Sequence, residues 1–254
     1  MNINYLSSAN IIKKNWIRYI RAKKLGFFFY RRPGFKIPKE IKVNNNVLSL
    51  NVPFHEKGQK FAFLDLLIDD EYCLRQLEKN KIHTVLDIGA NTGFFCLAAR
   101  MQFQDAIIHA YEPNIDLKPY LEHQANFANA EVFFEAIGMA EGKVSLDFGE
   151  DSVHTKAIIE SGGKIQQIAF KKAIDRLGGS VDLVKIDCEG GEWDILKDYK
   201  SWMKVDRLVM EYHLFHEHKS HSEIRSALKK INFDIKTIKE LKTCGMLYAE
   251  RNEL

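Results

Sequence analysis

Thr84-Val85-Leu86-Asp87-Ile88-Gly89-Ala90-Asn91-Thr92-Gly93-Phe94-Phe95 is the stretch from which the rest of the chain can be read. Val85, Leu86 and Ile88 supply the short apolar run of a strand covered on both faces. Gly89 and Gly93 can turn the backbone and admit a ligand where a Cβ would block it. From Phe94 onward, Phe94, Phe95, Leu97, Ala98 and Met101 recur at helical spacing. A strand that ends in glycines and enters a helix aims free backbone N–H groups at a polar ligand. A tight strand-to-helix connection without a ligand would have the same glycines. However, Asp87 stands where a purely structural strand prefers another apolar side chain.

Outward from this stretch, strands and helices alternate. Residues 106–111 read as a second strand, 117–127 as a helix and 132–137 as a third strand. Further on, 181–186 read as a fourth strand, 193–199 as a helix, 207–212 as a fifth strand and 222–230 as a helix. Strands at 233–238 and 246–250 close the chain. Such alternation predicts parallel pairing through right-handed crossovers. The expected fold is α/β: a doubly wound, Rossmann-like, seven-stranded, mostly parallel sheet with an antiparallel edge strand. Its ligands should gather at the carboxyl ends of the strands. Upstream, the pattern predicts a hairpin over 41–50 turning at 44–46, and a helix over 61–80. The expected organisation is a basic amphipathic arm (1–39), a hairpin and helix appendage (40–80) and the α/β domain (81–254).

The glycine loop differs from two phosphate-binding motifs. A dinucleotide fingerprint needs a second glycine where Asn91 stands, and that glycine admits a pyrophosphate. No Gly-Lys-Ser/Thr follows, so it is not a P-loop either. Glu112, in Tyr111-Glu112-Pro113, ends the second strand 19 residues after Gly93. From there a carboxylate can accept hydrogen bonds from both hydroxyls of a ribose. Loop and acid together point to a nucleoside ligand without a pyrophosphate.

With Val184-Lys185-Ile186-Asp187-Cys188-Glu189-Gly190 added, the three ordered motifs resemble those of FkbM-type methyltransferases, which are class I S-adenosylmethionine (SAM)-dependent enzymes, typically O-methyltransferases. Ala136-Ile137-Gly138 and Met210-Glu211-Tyr212-His213 match the same pattern, and the resemblance spans roughly 84–214. Cys188 and Gly191 depart from it, standing where valine and alanine are expected. The resemblance implies that Asp87, Gly89, Asn91 and Gly93 surround the amino-acid end of SAM. It implies further that Glu112 holds the ribose, and that Ala136 and Ile137 flank the adenine with Glu135 nearby.

Methyl transfer requires an aligned acceptor and a base for its proton. Asp187 and Glu189, at the end of the fourth strand, are candidates for the base or for a clamp on acceptor hydroxyls. Capping of the following helix is the plainer role for Glu189 and Glu192. His213 is a candidate general base, because an unperturbed imidazole is mostly neutral at pH 7, and Glu211 can orient it or bind substrate. His213, His216 and His218 also invite a metal reading, but they lack a recognised ligand pattern, so no metal is expected. His216, His218 and His221 read as solvent-facing. The polar stretch 149–164 is expected to form a lid over the acceptor.

Ten of the 37 Lys and Arg lie in residues 1–39, and none of the 34 Asp and Glu. Residues 7–24 suit a helix with Ile12, Trp16, Tyr19 and Ile20 on one face. That stripe can dock on the body, lie on an anionic membrane surface or belong to an organelle presequence. Nucleic-acid binding has no motif to support it. The four cysteines are widely spaced and suggest neither zinc nor a disulfide framework. No apolar run reaches the ~20 residues of a membrane span, so the expected location is cytoplasmic with peripheral membrane contact through the arm. The function expected is SAM-dependent O-methylation of a hydroxyl on a small-molecule, sugar or glycan acceptor. A nicotinamide-dependent oxidoreductase and a non-catalytic membrane- or glycan-associated protein are the rival readings.

Overall fold

A computed structural model describes residues 8–29, 31–32, 34–44, 46–147, 156–159, 163–215 and 219–252. The chain begins with α1 (Ser8–Lys24), followed by the hairpin β1 (Glu40–Val43) and β2 (Asn46–Ser49). Next comes α2 (Lys57–Phe63), which widens into a π-helical turn over Leu64–Asp69. β3 (Thr84–Ile88), α3 (Phe94–Gln102), β4 (Ile107–Tyr111), α4 (Lys118–Ala128) and β5 (Ala130–Phe133) form the first half of the sheet. Four short strands follow: β6 (Ala136–Gly138), β7 (Gly142–Asp147), β8 (Lys156–Ile159) and β9 (Ile165–Ala169). The second half comprises α5 (Phe170–Arg176), β10 (Val181–Ile186), α6 (Glu192–Ile195), α7 (Tyr199–Trp202) and β11 (Val205–His213). α8 (His221–Lys230), β12 (Phe233–Glu240) and β13 (Cys244–Arg251) complete it.

The main sheet has seven strands in the order β12-β13-β11-β10-β3-β4-β5. Neighbours from β11 to β5 are parallel, whereas β13 runs antiparallel between β11 and β12. This is the doubly wound, mostly parallel arrangement expected from the alternation. Alternate residues of the central strands point to opposite faces. Val85, Ile108 and Leu183 join α3, α4 and the upstream helices in one core. Leu86, Ile88, Val184 and Met210 join α5 to α8 in the other.

Three elements differ from the sequence reading. The helix expected over 61–80 stops at Asp70, whose left-handed backbone (φ 58°) caps the π turn. Residues 74–76 and 79–81 form only single 3₁₀ turns. The strand expected over 132–137 is two strands in different sheets, β5 in the main one and β6 in a four-stranded sheet of order β6-β9-β7-β8. The helix expected over 193–199 is the two short helices α6 and α7. The proposed lid falls largely on residues outside those described; 156–159 of it form β8.

The upstream segment shares its core with the sheet layer. Phe27, Phe35, Phe63 and Phe94 form a chain of ring contacts 5.5–6.0 Å apart, and Tyr72 meets Phe95 edge-on at 5.7 Å. Such a chain joins residues 27–72 to α3 by close packing of large apolar groups.

Candidate active site

β3 and β10 lie side by side, and the sheet runs outward from them in opposite directions. Their carboxyl ends therefore open a crevice at the topological switch point. A cavity of about 440 Å³ occupies it, within the ~300–1,000 Å³ typical of small-molecule sites.

The glycine loop forms one wall. Gly89 has φ +80°, and a Cβ there would lie 1.8 Å from the backbone oxygen of Asp187. Only glycine lets β3 and β10 close at this point. Gly89→Ala should therefore lower the denaturant midpoint, since left-handed strain alone costs ~1–3 kcal/mol and the clash adds to it. An unchanged midpoint would show that the two strand ends separate freely. Asn91 is also left-handed (φ 48°), a conformation asparagine tolerates. Its Oδ1 accepts from Thr92 N and from Gln59 Nε2, both at 2.8 Å. Thr92 Oγ1 donates to Gln59 Oε1 at 2.8 Å. Gln59 is fully buried in α2, so the upstream helix locks the loop.

Glu112 follows β4 and is 7% exposed. Its Oε2 accepts from Asn91 N at 2.8 Å and its Oε1 from Asn114 N at 2.9 Å. Burial pushes the carboxyl up to about 7 against the pull of these two amides. Each oxygen keeps acceptor capacity for a further donor. Beyond it, Tyr111, Ala136 and Ile137 line the wall. Tyr111 stacks on Phe133 at 4.7 Å, and Glu135 is ion-paired with Arg176.

Behind the loop, Asp87 is completely buried. Lys185 Nζ stands 3.1 Å from its Oδ1, and Cys96 Sγ donates to its Oδ2 at 3.5 Å. Lys185 Nζ also donates to the Gly89 carbonyl at 2.5 Å and lies 3.9 Å from Asp187. Burial disfavours the ammonium, but Asp87 and then Asp187 outweigh it and raise the lysine above its ordinary range.

A carboxylate cluster forms the other end of the cavity. Asp187 accepts a 3.1 Å hydrogen bond from the Tyr72 hydroxyl. Glu189 is held in a left-handed conformation (φ 52°). His213 ends β11, with Nδ1 2.9 Å from Glu192 Oε1. Its Nε2 lies 3.4 Å from Glu189 and 3.8 Å from Glu211, and its ring stacks on Phe215 at 4.9 Å. Burial disfavours a charged imidazole, but Glu192, Glu189 and Asp187 outweigh it and push its pKa up to about 9. The neutral imidazole expected from an unperturbed pKa is thus corrected, because carboxylates face both ring nitrogens. Glu211 is raised to about 8, first by burial and then by the charge of Asp187.

Of the residues singled out in the sequence, Gly89, Asn91, Glu112, Ala136, Ile137, Asp187, Glu189 and Glu211 line the cavity. Asp87, Gly93 and His213 are not part of that lining. Asp87 bears on it through Lys185. Gly93 (φ 86°) is the N-cap of α3. Glu192 is fully buried; besides His213 it accepts from Gly190 N at 3.1 Å, so it is not a solvated acid. His216 and His218 lie outside the described residues. His221 is not simply solvent-facing, since it bridges the Tyr212 hydroxyl and the Leu241 carbonyl. Gln59, Glu71 and Tyr72 escaped sequence reading because no motif marks their segment. Asp187, Glu189 and His213 each bring one oxygen or nitrogen within 4.8 Å of the others. A cation there would have to displace the proton His213 shares with its carboxylates.

A family model described as the methyltransferase FkbM domain matches residues 87–235. The chain belongs to this family. It therefore has the family and the fold of SAM-dependent methyltransferases, with the matched FkbM domain running from the end of β3 through α8 to the start of β12. An FkbM methyltransferase structure from Methylobacillus flagellatus KT is 14% identical over 94% of this chain and 60% of that one, with a TM-score of 0.45. The fibrillarin pre-rRNA processing protein of Methanococcus jannaschii is 12% identical over 69% of each chain, TM-score 0.46. Precorrin-6y C5,15-methyltransferase from Geobacter metallireducens GS-15 is 11% identical over 81% of this chain and 94% of that one, TM-score 0.46. No curated protein matches this chain.

Proposed function

We propose that this FkbM-family protein is an O-methyltransferase that uses SAM to methylate a hydroxyl of a neutral or cationic acceptor, such as a sugar or glycan. The observation that carries the reading is one cavity with Glu112 beside an apolar wall at one end and a carboxylate cluster at the other. The chemistry of this lining fits SAM. Glu112 would accept from the ribose hydroxyls, Ala136 and Ile137 would flank the adenine, and the loop Gly89–Asn91 would face the amino-acid end. Asp87 and Gly93 would act from behind, by fixing Lys185 and starting α3. When bound, SAM supplies an electrophilic methyl group that needs no further activation.

The protein's own residues would then position and deprotonate the acceptor. Glu211, raised to about 8, is near the pKa that suits a general base at neutral pH. It would take the acceptor's hydroxyl proton. Asp187, fixed by Tyr72, and Glu189 would hold neighbouring hydroxyls. His213 would be a charged strut that keeps Glu189 and Glu211 in place, a positioning role in contrast to that of a base.

Among the described residues, eight carboxylates and one cation, Lys185, line the cavity. Arg32, Lys239, Arg176 and Lys197 offset Asp65, Glu71, Glu135 and Asp194, which leaves Asp187, Glu189 and Glu211 as the acids at the acceptor end. An acceptor bearing phosphate or carboxylate would meet like charge at short range. With labelled SAM, neutral and amino sugars should therefore be methylated and their phosphorylated counterparts refused. Preference for phosphorylated acceptors would overturn the assignment. In the proposed chemistry a side chain takes the proton and no metal is required, so turnover should survive EDTA within about twofold. Loss on chelation, restored by Mg²⁺ or Mn²⁺, would instead assign Asp187, Glu189 and His213 to a cation.

A further inference from the structure

We infer that α1 and Phe28 form a face that binds an anionic lipid surface. The first observation is how α1 is attached. Arg18 grips both carboxylate oxygens of Asp69 at 2.6 Å. Arg21 donates to the carbonyls of Ile68 and Asp69 at 2.7 and 3.0 Å, and Ala22 and Leu25 are buried beside them. Arg32 reaches back to Asp69 at 2.7 Å. Charged groups thus hold the helix to the body, and its apolar stripe is turned the other way.

The second observation is what that leaves outside. Ile12 is 69% exposed, Trp16 62%, Ile20 40% and Phe28 71%. Trp16 stacks on Tyr19 at 5.6 Å, and Tyr19 meets Phe28 edge-on at 5.7 Å, so the side chains form one ridge. Lys13, Lys23 and Lys24 are exposed on the same half of the helix. No acidic residue occurs before Glu40.

An apolar ridge flanked by lysines has the two attractions of an interfacial helix: burial of apolar side chains among acyl chains and attraction to anionic headgroups. Tryptophan favours that boundary. A second copy of the chain would set lysines against lysines. A nucleic acid would use the lysines and leave Ile12 and Ile20 in water. Among the described residues no helix is long and apolar enough to cross a membrane, so the contact lies on the surface. Asp65 and Leu66, in the turn that carries α1, also line the cavity, which places the helix anchor next to the site. The inference does not depend on the reaction the site performs.

The test is co-sedimentation of the full chain with vesicles of phosphatidylcholine alone and of phosphatidylcholine with phosphatidylglycerol. We expect binding to the anionic vesicles only, weakening as salt is raised. Trp16→Ser with Ile20→Ser should reduce it by about tenfold or more. Each of Lys13→Gln, Lys23→Gln and Lys24→Gln should reduce it about fivefold. An unchanged melting transition would show that the variants are folded. Four results would each overturn the inference: equal binding to both vesicle types, variants that bind like wild type, a dimer that Trp16→Ser dissociates, or retention of single-stranded RNA that vesicles do not compete away.

Discussion

Glu211→Gln should lower turnover by about 10²–10⁴-fold, the usual worth of a general base, and leave SAM affinity within about twofold. The larger diagnostic is the pH profile. Glu211 is raised to about 8 by burial and by Asp187, and only its unprotonated form can take a proton. The wild-type rate should therefore climb as pH rises through about 8, and that limb should vanish in Glu211→Gln. His213, held charged up to about 9, should not produce a limb near 6.5. If Glu211→Gln keeps the limb and most of the rate, the base is another residue of the cluster. Asp187→Asn would then be the next substitution to measure.

Lys185→Met should destabilise the fold by ~3–5 kcal/mol, because it leaves Asp87 as a buried carboxylate without its counter-charge. The pair is enclosed: Asp87 is fully buried and Lys185 nearly so. Replacing both, as Asp87→Leu with Lys185→Met, should recover much of that loss, since an apolar pair of similar volume removes the uncompensated charge. Denaturant midpoints of the two single variants and the double would decide it. Additive losses would mean that the ion pair is not the unit of stability here.

The parallel core of the fold was legible because its strands are short apolar runs punctuated by glycine and acid. Val85, Leu86 and Ile88 and the later run of 181–186 needed no tertiary information. The four-stranded sheet from β6 to β9 was not legible. Its strands are three to six residues long, and exposed polar positions in β7 and β9 blur the alternation. The broken helix at Asp70 hid for another reason: a left-handed cap formed by aspartate carries no glycine to announce it.

The site was partly legible for the same physical reasons. Glu112 and Asp187 announce themselves as acids at strand ends. The state of His213 could not be read, because it depends on Glu192, 21 positions away in sequence and 2.9 Å away in space. The stripe of α1 was visible from its period, but its direction was not. Which side docks is decided by Arg18 and Arg21 meeting Asp69 and the carbonyls beside it, a contact no periodicity encodes.

The crevice at the ends of β3, β4 and β10 should bind SAM. Calorimetric titration of SAM into the full chain and into Glu112→Ala tests it most directly. Binding to wild type should be saturable and should weaken as pH falls below about 7, because protonation removes acceptor capacity from Glu112. Glu112→Ala should lose ~1.5–3 kcal/mol, the worth of hydrogen bonds to a charged group. No binding of SAM at millimolar concentration, with tight binding of NADH in its place, would contradict it.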